Sequence, residues 1–304
     1  FLVVMQMPLH TIVELLYMDL EKRHLLKMIK KSVISLISYD AGFLPESISK
    51  YYEYVDEIVL GVDKDRISWS NNPFSFDEQQ LWKDLQDLDP ENKISIIEEN
   101  FHKSEIPIEN DNYERNFLKE QCTHDVIVSI DADEFLLDAK KFFYDFFPLV
   151  ERYLPKNDIC MTWATPYKKI DDMTLVIAND DDTPFFGENQ GFVTTKNSTF
   201  VYARWTDKSH AGLGRILSPL VTLHYSLCRD EKPLHQKIHN IGHSNLADED
   251  PFYKLWTQVT LDNYKELKNF KSSGLGEIQW PRLYAVKTDQ LISYYTQFSE
   301  SAYA

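Results

Sequence analysis

The chain has 304 residues, of which 43% are hydrophobic, and its 48 acidic against 32 basic side chains give a formal net charge of −16. This length supports one large α/β domain or two smaller ones. Such an acidic balance argues against a general nucleic-acid binder, because phosphate backbones need basic partners. The three cysteines are widely spaced and form no CxxC pair, so we expect neither a disulfide framework nor a thiolate zinc site.

Residues 1–31 mix apolar and charged side chains at helical spacing, which predicts an amphipathic N-terminal helical extension. The segment lacks the basic start and the small-residue cleavage site of a signal peptide. The sequence contains no apolar run long enough to span a bilayer. We therefore expect a cytoplasmic protein without a transmembrane segment, and peripheral attachment to a membrane through this helix is the alternative.

The next hundred residues alternate apolar runs of strand length with helical patterns. Strands buried on both faces and separated by helices predict a mostly parallel sheet that is covered by helices on both sides. Ligands of such sheets bind at the carboxyl ends of the strands, where Asp40, Asp63 and Asp131 fall. The predicted strands are residues 32–39, 57–63, 93–99 and 125–130, and the predicted helices begin near Pro45 and cover 76–88 and 112–122.

The second half of the sequence is less regular. Residues 210–217 are expected to form a flexible loop that brings Arg215 near the ligand, and residues 251–270 have the spacing of one amphipathic helix. No linker long enough to separate two domains is visible in the sequence. Further strands are predicted at 160–170, 173–180, 198–205 and 218–226, with an acidic loop at 179–191.

Three carboxylates, Asp131, Asp133 and Glu134, follow directly on the apolar strand VIVSI. Uncompensated charge is expensive next to a buried strand, so their mutual repulsion must be offset. Residues two apart at the end of a strand can face one hard cation, and Mn²⁺ or Mg²⁺ prefers carboxylate and diphosphate oxygens. The pattern therefore predicts a divalent-metal site, and a capped loop without metal is the alternative.

The run YERNFLKEQCTHDVIVSIDADEF resembles the core of family 2 glycosyltransferases and their relatives with the GT-A fold. In that family an Arg-Asn pair on a helix, here Arg115 and Asn116, precedes the Asp-x-Asp at the end of the next strand. SVISLISYDAGFLPESI resembles the family's first strand, turn and helix, and EIVLGVDKDRIS resembles its second strand. The resemblance covers about residues 32–138. The family's glycine- and serine-rich turn after the second strand and its Glu-Asp motif are not recognisable.

The resemblance implies a GT-A fold, a Rossmann-like architecture with a mixed, mostly parallel sheet flanked by helices. Residues 32–138 would form the nucleotide-sugar-binding half, and residues 139–304 the acceptor half and C-terminal helices of the same domain. The implied activity is metal-dependent transfer of a sugar from a nucleotide-diphosphate donor, a UDP-sugar, to a saccharide, lipid or protein acceptor.

The same resemblance assigns roles to particular residues. Asp131, Asp133 and a late histidine, for which His224 is the candidate, would hold Mn²⁺ or Mg²⁺. The general base should be a carboxylate, and Asp207 is preferred by position over Glu188 and Asp180. The donor would contact Tyr39, Asp40, Asp63, Asp65, Arg115, Asp131, Ala132 and Lys237.

Two further side-chain patterns have alternative explanations. His235, His239 and His243 have the spacing of a helical zinc site, but Gly242 weakens that helix, and a loop near the diphosphate is the preferred interpretation. Aromatic side chains near strand ends could stack on a sugar ring, although core packing is the commoner use of such residues. These aromatic candidates are Trp69, Trp163, Trp205 and Tyr225.

Two other classes of function remain open at the level of sequence. The chain could be a non-catalytic nucleotide-sugar-binding protein that lacks a general base. It could instead be a metal-dependent nucleotidyltransferase or phosphohydrolase, since these enzymes also use paired carboxylates. Nucleotidyltransferases usually show a glycine- and lysine-rich loop after the first strand, whereas SYDAGFLPES contains a single glycine and no lysine.

Overall fold

The structure is a computed structural model that describes residues 29–240, 251–271 and 279–299. The helical extension expected at residues 1–31 lies outside these ranges except for its last three residues, where the prediction is wrong, because Ile29 and Lys30 are not helical and Lys31 begins the first strand. Within the described ranges, no helix combines the length and the apolarity needed to cross a membrane.

Four parallel strands form the first half of the main sheet, as the apolar runs predict. They are β1 (Lys31–Ile37), β2 (Glu57–Asp63), β3 (Ile94–Glu99) and β4 (Val126–Ser129), in the order β3-β2-β1-β4. All of β1 and β4 is buried, and so is β2 apart from Glu57, because both faces of these strands are covered. Strand β3 is more exposed because it lies at the edge of the sheet.

Three helices cover this half of the sheet: α1 (Leu44–Tyr51), α2 (Glu78–Leu88) and α3 (Pro107–Gln121). Val33 and Ile37 of β1 belong to the core that includes α1 and α2, whereas Ile34 and Leu36 pack with α3. Successive side chains of a strand point to opposite faces, which explains why a continuous apolar run suits a sheet covered on both sides. Helix α3 begins five residues earlier than predicted, with Pro107 in its first turn.

The second half of the chain contributes strands to the same sheet and forms a second one. These strands are β5 (Glu134–Leu136), β6 (Asp158–Ala164), β7 (Pro166–Ile170), β8 (Met173–Ala178), β9 (Asn189–Thr195), β10 (Phe200–Tyr202), β11 (Trp205–Thr206), β12 (Arg215–His224), β13 (Lys268–Lys271) and β14 (Gln279–Lys287). Strands β9, β6, β12 and β5 continue the main sheet after β4, and only the β6–β12 pair among these added strands is parallel. A four-stranded antiparallel sheet has the order β13-β14-β8-β7, and β10 pairs with β11.

Helix α4 (Glu231–Asn240) follows β12, the last strand of the main sheet along the chain. Helices α5 (Pro251–Gln258) and α6 (Leu291–Ser299) flank the second sheet. The result is a mixed α/β fold with a mostly parallel sheet flanked by helices. Shorter helical turns are Ala41–Phe43, Tyr52–Tyr54, Ala139–Lys141, Phe142–Phe146, Phe147–Val150, Glu151–Tyr153, Tyr264–Glu266 and Thr288–Gln290.

The prediction of one helix over residues 251–270 is wrong. Helix α5 ends at Gln258, and the chain then passes through a short helical turn into β13. Pairing with β14 places Phe270 opposite Trp280, and both side chains are buried in a second hydrophobic core with Tyr167 and Trp256. The apolar residues therefore serve a strand as well as a helix, a distinction that periodicity in a short segment does not resolve.

The flexible loop expected at residues 210–217 is also shorter than predicted. Strand β12 already begins at Arg215, which pairs with Asp158 at the start of β6. Arg215 lies over the ring of Trp205, with its guanidinium carbon 3.7 Å from the ring centroid. This parallel pairing over a long sequence separation removes residues 215–217 from the loop.

A glycine in β2 tests how closely α3 packs on the sheet. A Cβ atom at Gly61 would lie 2.7 Å from Leu118 Cδ1 and 2.8 Å from Glu114 Oε1, both on α3. We expect Gly61→Ala to lower the free energy of unfolding by about 1–3 kcal/mol, because overpacking forces the helix away. Gly42→Ala is the matched control, since nothing lies within 4 Å of its added Cβ. Equal denaturant midpoints for the two variants would contradict this packing.

Candidate functional site

A cavity of about 210 Å³ lies at the carboxyl ends of β1 and β4, where the second half of the chain folds back on the parallel sheet. Open α/β sheets place their ligand sites at this edge. Eight of the residues predicted to bind the donor or a metal ion line the cavity: Tyr39, Asp40, Arg115, Asp131, Ala132, Asp133, His224 and Lys237.

Asp131 is held by an arginine from α3. Arg115 Nη1 donates to Asp131 Oδ1 at 2.9 Å and Nη2 donates to Oδ2 at 3.3 Å, while Arg115 Nε donates to Asp111 Oδ1 at 2.6 Å. Burial alone would raise the pKa of the Asp131 carboxyl, but Arg115 and Arg204 outweigh it and lower that pKa to about 2. Asp131 is therefore ionised at neutral pH and fixed in orientation.

Asp133 and Asp40 share two cations from the C-terminal part of the chain. Lys237 Nζ on α4 donates to Asp133 Oδ2 at 2.7 Å and to Asp40 Oδ2 at 3.3 Å. The two terminal nitrogens of Arg229 also donate one to each of these carboxylates. Burial acts to raise the pKa of the Asp133 carboxyl, yet the charge of Lys237, above that of its other neighbours, holds it well below its usual range.

Glu134, the third acid of the cluster, is bonded to a different arginine. Arg204 Nη1 donates to Glu134 Oε2 at 2.6 Å, and Trp163 Nε1 donates to Oε1 at 2.7 Å. Burial raises the pKa of the Glu134 carboxyl, and the charge of Arg204 opposes that shift. Each carboxylate of the acid cluster is thus compensated by side-chain cations.

Asp131, Asp133 and His224, the predicted metal ligands, lie close together in the cavity. His224 Nε2 lies 3.7 Å from Asp133 Oδ2, and burial lowers the pKa of the imidazole to about 3, so the ring is neutral. Both oxygens of Asp131 face Arg115, however, and Lys237 lies between Asp133 and Asp40. Across the described ranges, no group of three or more His, Cys, Asp or Glu side chains is arranged to hold a metal ion. These residues, as arranged, do not fit a divalent ion.

Three indole side chains, Trp69, Trp163 and Trp280, line the same cavity. Trp69 Nε1 donates to Glu114 Oε2 at 2.7 Å, and the Trp163 ring lies against His224 with centroids 4.2 Å apart. These hydrogen bonds and ring contacts fix the indoles as rigid apolar walls.

The other two aromatic candidates, Trp205 and Tyr225, do not line the cavity. Trp205 lies under the guanidinium of Arg215, and Tyr225 packs edge-on against Phe135, with ring centroids 5.1 Å apart. Both rings are therefore used in packing contacts.

The candidate general bases lie in different places. Glu188 lines the cavity, where it accepts a hydrogen bond of 3.2 Å from Trp280 Nε1, and burial raises the pKa of its carboxyl. Asp207 does not line the cavity, and its carboxylate accepts from the backbone N of Thr199 at 3.0 Å. Asp180 is exposed and likewise does not line the cavity. The structure thus brings only Glu188 of the three to the cavity.

Two residues predicted to bind the donor, Asp63 and Asp65, do not line the cavity. The Asp63 carboxylate accepts from the backbone N atoms of Asp65, Ile67 and Phe101 at 2.9, 3.1 and 2.7 Å. Asp63 therefore organises the turn after β2 and ties it to Phe101, two residues after the end of β3. The side chain of Asp65 is exposed.

Helix α4 carries Lys237 to the cavity and is fastened to the loop after β2. Ser68 Oγ donates to Asn240 Oδ1 at 2.6 Å, and Asn72 Nδ2 donates to the backbone O of His239 at 3.3 Å. The interpretation of this segment as a loop is therefore wrong up to residue 240, and His235 and His239 share one face of the helix, with ring centroids 4.2 Å apart. The third histidine of the zinc alternative, His243, lies outside the described residues.

Sequence reasoning missed Arg204, Arg229 and Trp280. Arg204 and Trp280 line the cavity, and Arg229 bonds to two of the cavity acids. No local motif marks these residues, and Arg229 lies 189 positions from its partner Asp40. The sequence indicates them only indirectly. The buried acidic side chains at the strand ends require cations to neutralise them, but they do not indicate where in the chain those cations lie.

No protein-family model and no curated protein matches this chain. Solved structures that it resembles include UDP-glucose pyrophosphorylase complexed with UDP-glucose, at 11% identity over 55% of this chain and 75% of that chain, with a TM-score of 0.30. A mannose-6-phosphate isomerase from Helicobacter pylori matches at 9% identity over 64% and 97% of the two chains, with a TM-score of 0.33. A mycobacterial protein matches at 11% identity over 89% and 90%, also with a TM-score of 0.33. Likeness at this level carries no argument about function.

Glu114 lies behind the cavity wall, and the protonation of its carboxyl can be used to test the electrostatics of the site. Burial raises the pKa of its carboxyl to about 8, from an ordinary value of 4.5, against the opposing hydrogen bond from Trp69. The folded state therefore keeps a proton that the unfolded state releases between these values, so this group lowers the free energy of unfolding as pH rises through that window. Glu114→Gln imitates the protonated form and should be more stable than wild type by roughly 1–3 kcal/mol near neutral pH.

Urea unfolding of both proteins at about pH 5 and about pH 8 measures this difference, which should be small at the lower pH and large at the higher one. Glu120→Gln on the same helix is the control, because the Glu120 side chain is 61% exposed. A stability difference between Glu114→Gln and wild type that does not change with pH would show that Glu114 is ionised in the folded protein.

Proposed function

We propose that this protein is a glycosyltransferase that moves a sugar from a nucleotide-diphosphate donor, a UDP-sugar, to an acceptor hydroxyl. The observation that carries the proposal is the cavity itself. Cationic side chains, tryptophan walls and a carboxylate with a raised pKa meet there at the carboxyl edge of a mostly parallel sheet. These are the groups that a diphosphate, a sugar ring and a proton-transfer step respectively need.

The size of the cavity suggests which part of the donor it would enclose. Its volume of about 210 Å³ is below the roughly 300–1,000 Å³ of pockets that enclose a whole drug-sized ligand. We therefore place the sugar and diphosphate inside and the nucleoside at the mouth. Lys237 and Arg204 would contact the diphosphate, and the indoles of Trp163 and Trp280 would contact the sugar.

The reaction would proceed by attack of the acceptor oxygen on the anomeric carbon. The bond between that carbon and the donor phosphate oxygen breaks, and its electron pair leaves on the diphosphate, where nearby cations stabilise the charge. The acceptor proton passes to Glu188, which we propose as the general base in place of Asp207 because it lines the cavity. Its raised pKa favours acceptance of that proton.

The sequence predicts Mn²⁺ or Mg²⁺ as cofactor, held by Asp131, Asp133 and His224. If such an ion binds, it would supply Lewis-acid stabilisation of the leaving diphosphate. Because the described arrangement does not fit an ion at these residues, no step of the proposed reaction is assigned to one.

A panel of UDP-sugars, each offered with saccharide, lipid and peptide acceptors, tests the activity by UDP release and product mass. A non-catalytic binding protein would bind a donor without consuming it. A nucleotidyltransferase would release pyrophosphate in the presence of a nucleoside triphosphate and a sugar phosphate. Either result would replace the glycosyltransferase proposal.

Glu188→Gln should lower the rate of UDP release by roughly 100-fold or more, the usual contribution of a general base, with donor affinity little changed. The amide keeps the hydrogen bond from Trp280 but no longer accepts the proton. Asp207→Asn is the control for removal of a carboxylate outside the cavity and should keep the wild-type rate. A fully active Glu188→Gln enzyme, or an inactive Asp207→Asn enzyme, would reverse the assignment of the base.

A further inference from the structure

We propose that Lys237 and Arg229 take the place of a divalent ion, so that this protein binds its nucleotide-diphosphate donor without metal. The inference rests on the proposed function, whose donor chemistry it specifies. It starts from the misfit between the acid cluster and a metal site.

The Lys237 ammonium lies between two carboxylates. Its nitrogen lies 2.7 Å from Asp133 Oδ2 and 3.3 Å from Asp40 Oδ2, so it bridges two carboxylates from the ends of two strands. A bridging cation would occupy the same space between these oxygens. Arg229 bridges the same two carboxylates from another direction. Two negative groups are thus matched by two positive ones, and an added dication would meet like charges at short range.

The second observation is that both cations are held in place. Arg229 Nε donates to the backbone O atoms of Tyr225 and Ser226 at 3.1 and 3.0 Å, and its side chain is only 2% exposed. Lys237 is carried by α4, whose last residue, Asn240, is hydrogen-bonded to Ser68. Removing either cation would leave two buried carboxylates bridged by a single positive charge, which makes displacement by a metal ion costly.

The third observation is that the ammonium of Lys237 still has a donor to offer. An ammonium group has three N–H donors, and among the described residues two of them are directed to Asp40 and Asp133. Lys237 also lines the cavity, so its remaining N–H is available to an oxygen of an entering diphosphate. In sugar transfer this contact would strengthen as the sugar–phosphate bond breaks and its electron pair collects on the diphosphate.

Calorimetric titration of the full chain with UDP, in EDTA and in Mn²⁺, tests the inference without any variant. We expect the two dissociation constants to agree within about twofold. Binding only in Mn²⁺ would overturn the inference and leave the proposed function standing. Absence of UDP and UDP-sugar binding under both conditions would overturn the proposed function itself, and the inference with it.

The variant Lys237→Ala tests the contribution of the Lys237 ammonium to UDP binding. In EDTA it should bind UDP roughly 10- to 100-fold more weakly, as expected for the loss of one charged hydrogen bond. Mn²⁺ should restore binding, because Asp40 and Asp133 lose one of the two cations that bridge them and an ion can take its place. Unchanged affinity in EDTA, or no recovery in Mn²⁺, would show that the ammonium does not stand in an ion's place.

Lys232→Ala is the matched control, since Lys232 lies on the same helix and is exposed, and it should bind like wild type. Lys237→Met keeps most of the length of the side chain and replaces Lys237→Ala if the latter does not fold, as judged by its thermal melt. The wild-type comparison decides the question of metal dependence even if both variants unfold.

Discussion

The bridge that Lys237 and Arg229 form between Asp40 and Asp133 connects the parallel sheet to the C-terminal part of the chain. Asp40 follows β1 and Asp133 follows β4, whereas both cations come from the segment after β12. Neither set of charges could be buried alone, because an isolated buried charge costs several kcal/mol. The two halves of the chain therefore have to fold together at the carboxyl edge of the sheet, and the cavity is the space left beside this contact.

Networks of this kind contribute little net stability, because desolvation cancels much of the attraction between the charges. A fold that needed only to cover the carboxyl edge of the sheet could use apolar side chains there. On α3 the buried face is instead mostly polar, with Asn110, Asp111, Glu114 and Arg115 turned inward. This concentration of compensated charge, next to groups with shifted pKa values such as Glu188, is typical of sites that bind charged ligands. It supports the proposal that the edge is kept polar for a diphosphate.

The second sheet and its core determine the opposite wall of the cavity. Trp280 lies on β14, where Phe270 and Tyr167 pack edge-on against its ring, and its indole nitrogen reaches Glu188. The antiparallel sheet therefore supports both an apolar wall and the orientation of the proposed base. Helix α4 closes a third side through its contacts with the loop after β2. The acceptor side of the proposed reaction would thus be built on rigid elements.

The sequence by itself determined the parallel half of the fold and the location of the candidate site, because continuous apolar runs and strand-end acids are local patterns. Asp40, Asp131 and Asp133 were predicted from their positions at strand ends and Arg115 from the family resemblance, and all four line the cavity. Only the tertiary structure decided what compensates the acids. Lysine and arginine at sequence separations of about a hundred residues or more leave no periodic trace, so the sequence alone suggested a metal ion. The same holds for β13, whose strand conformation depends on pairing with β14 and not on its own residues.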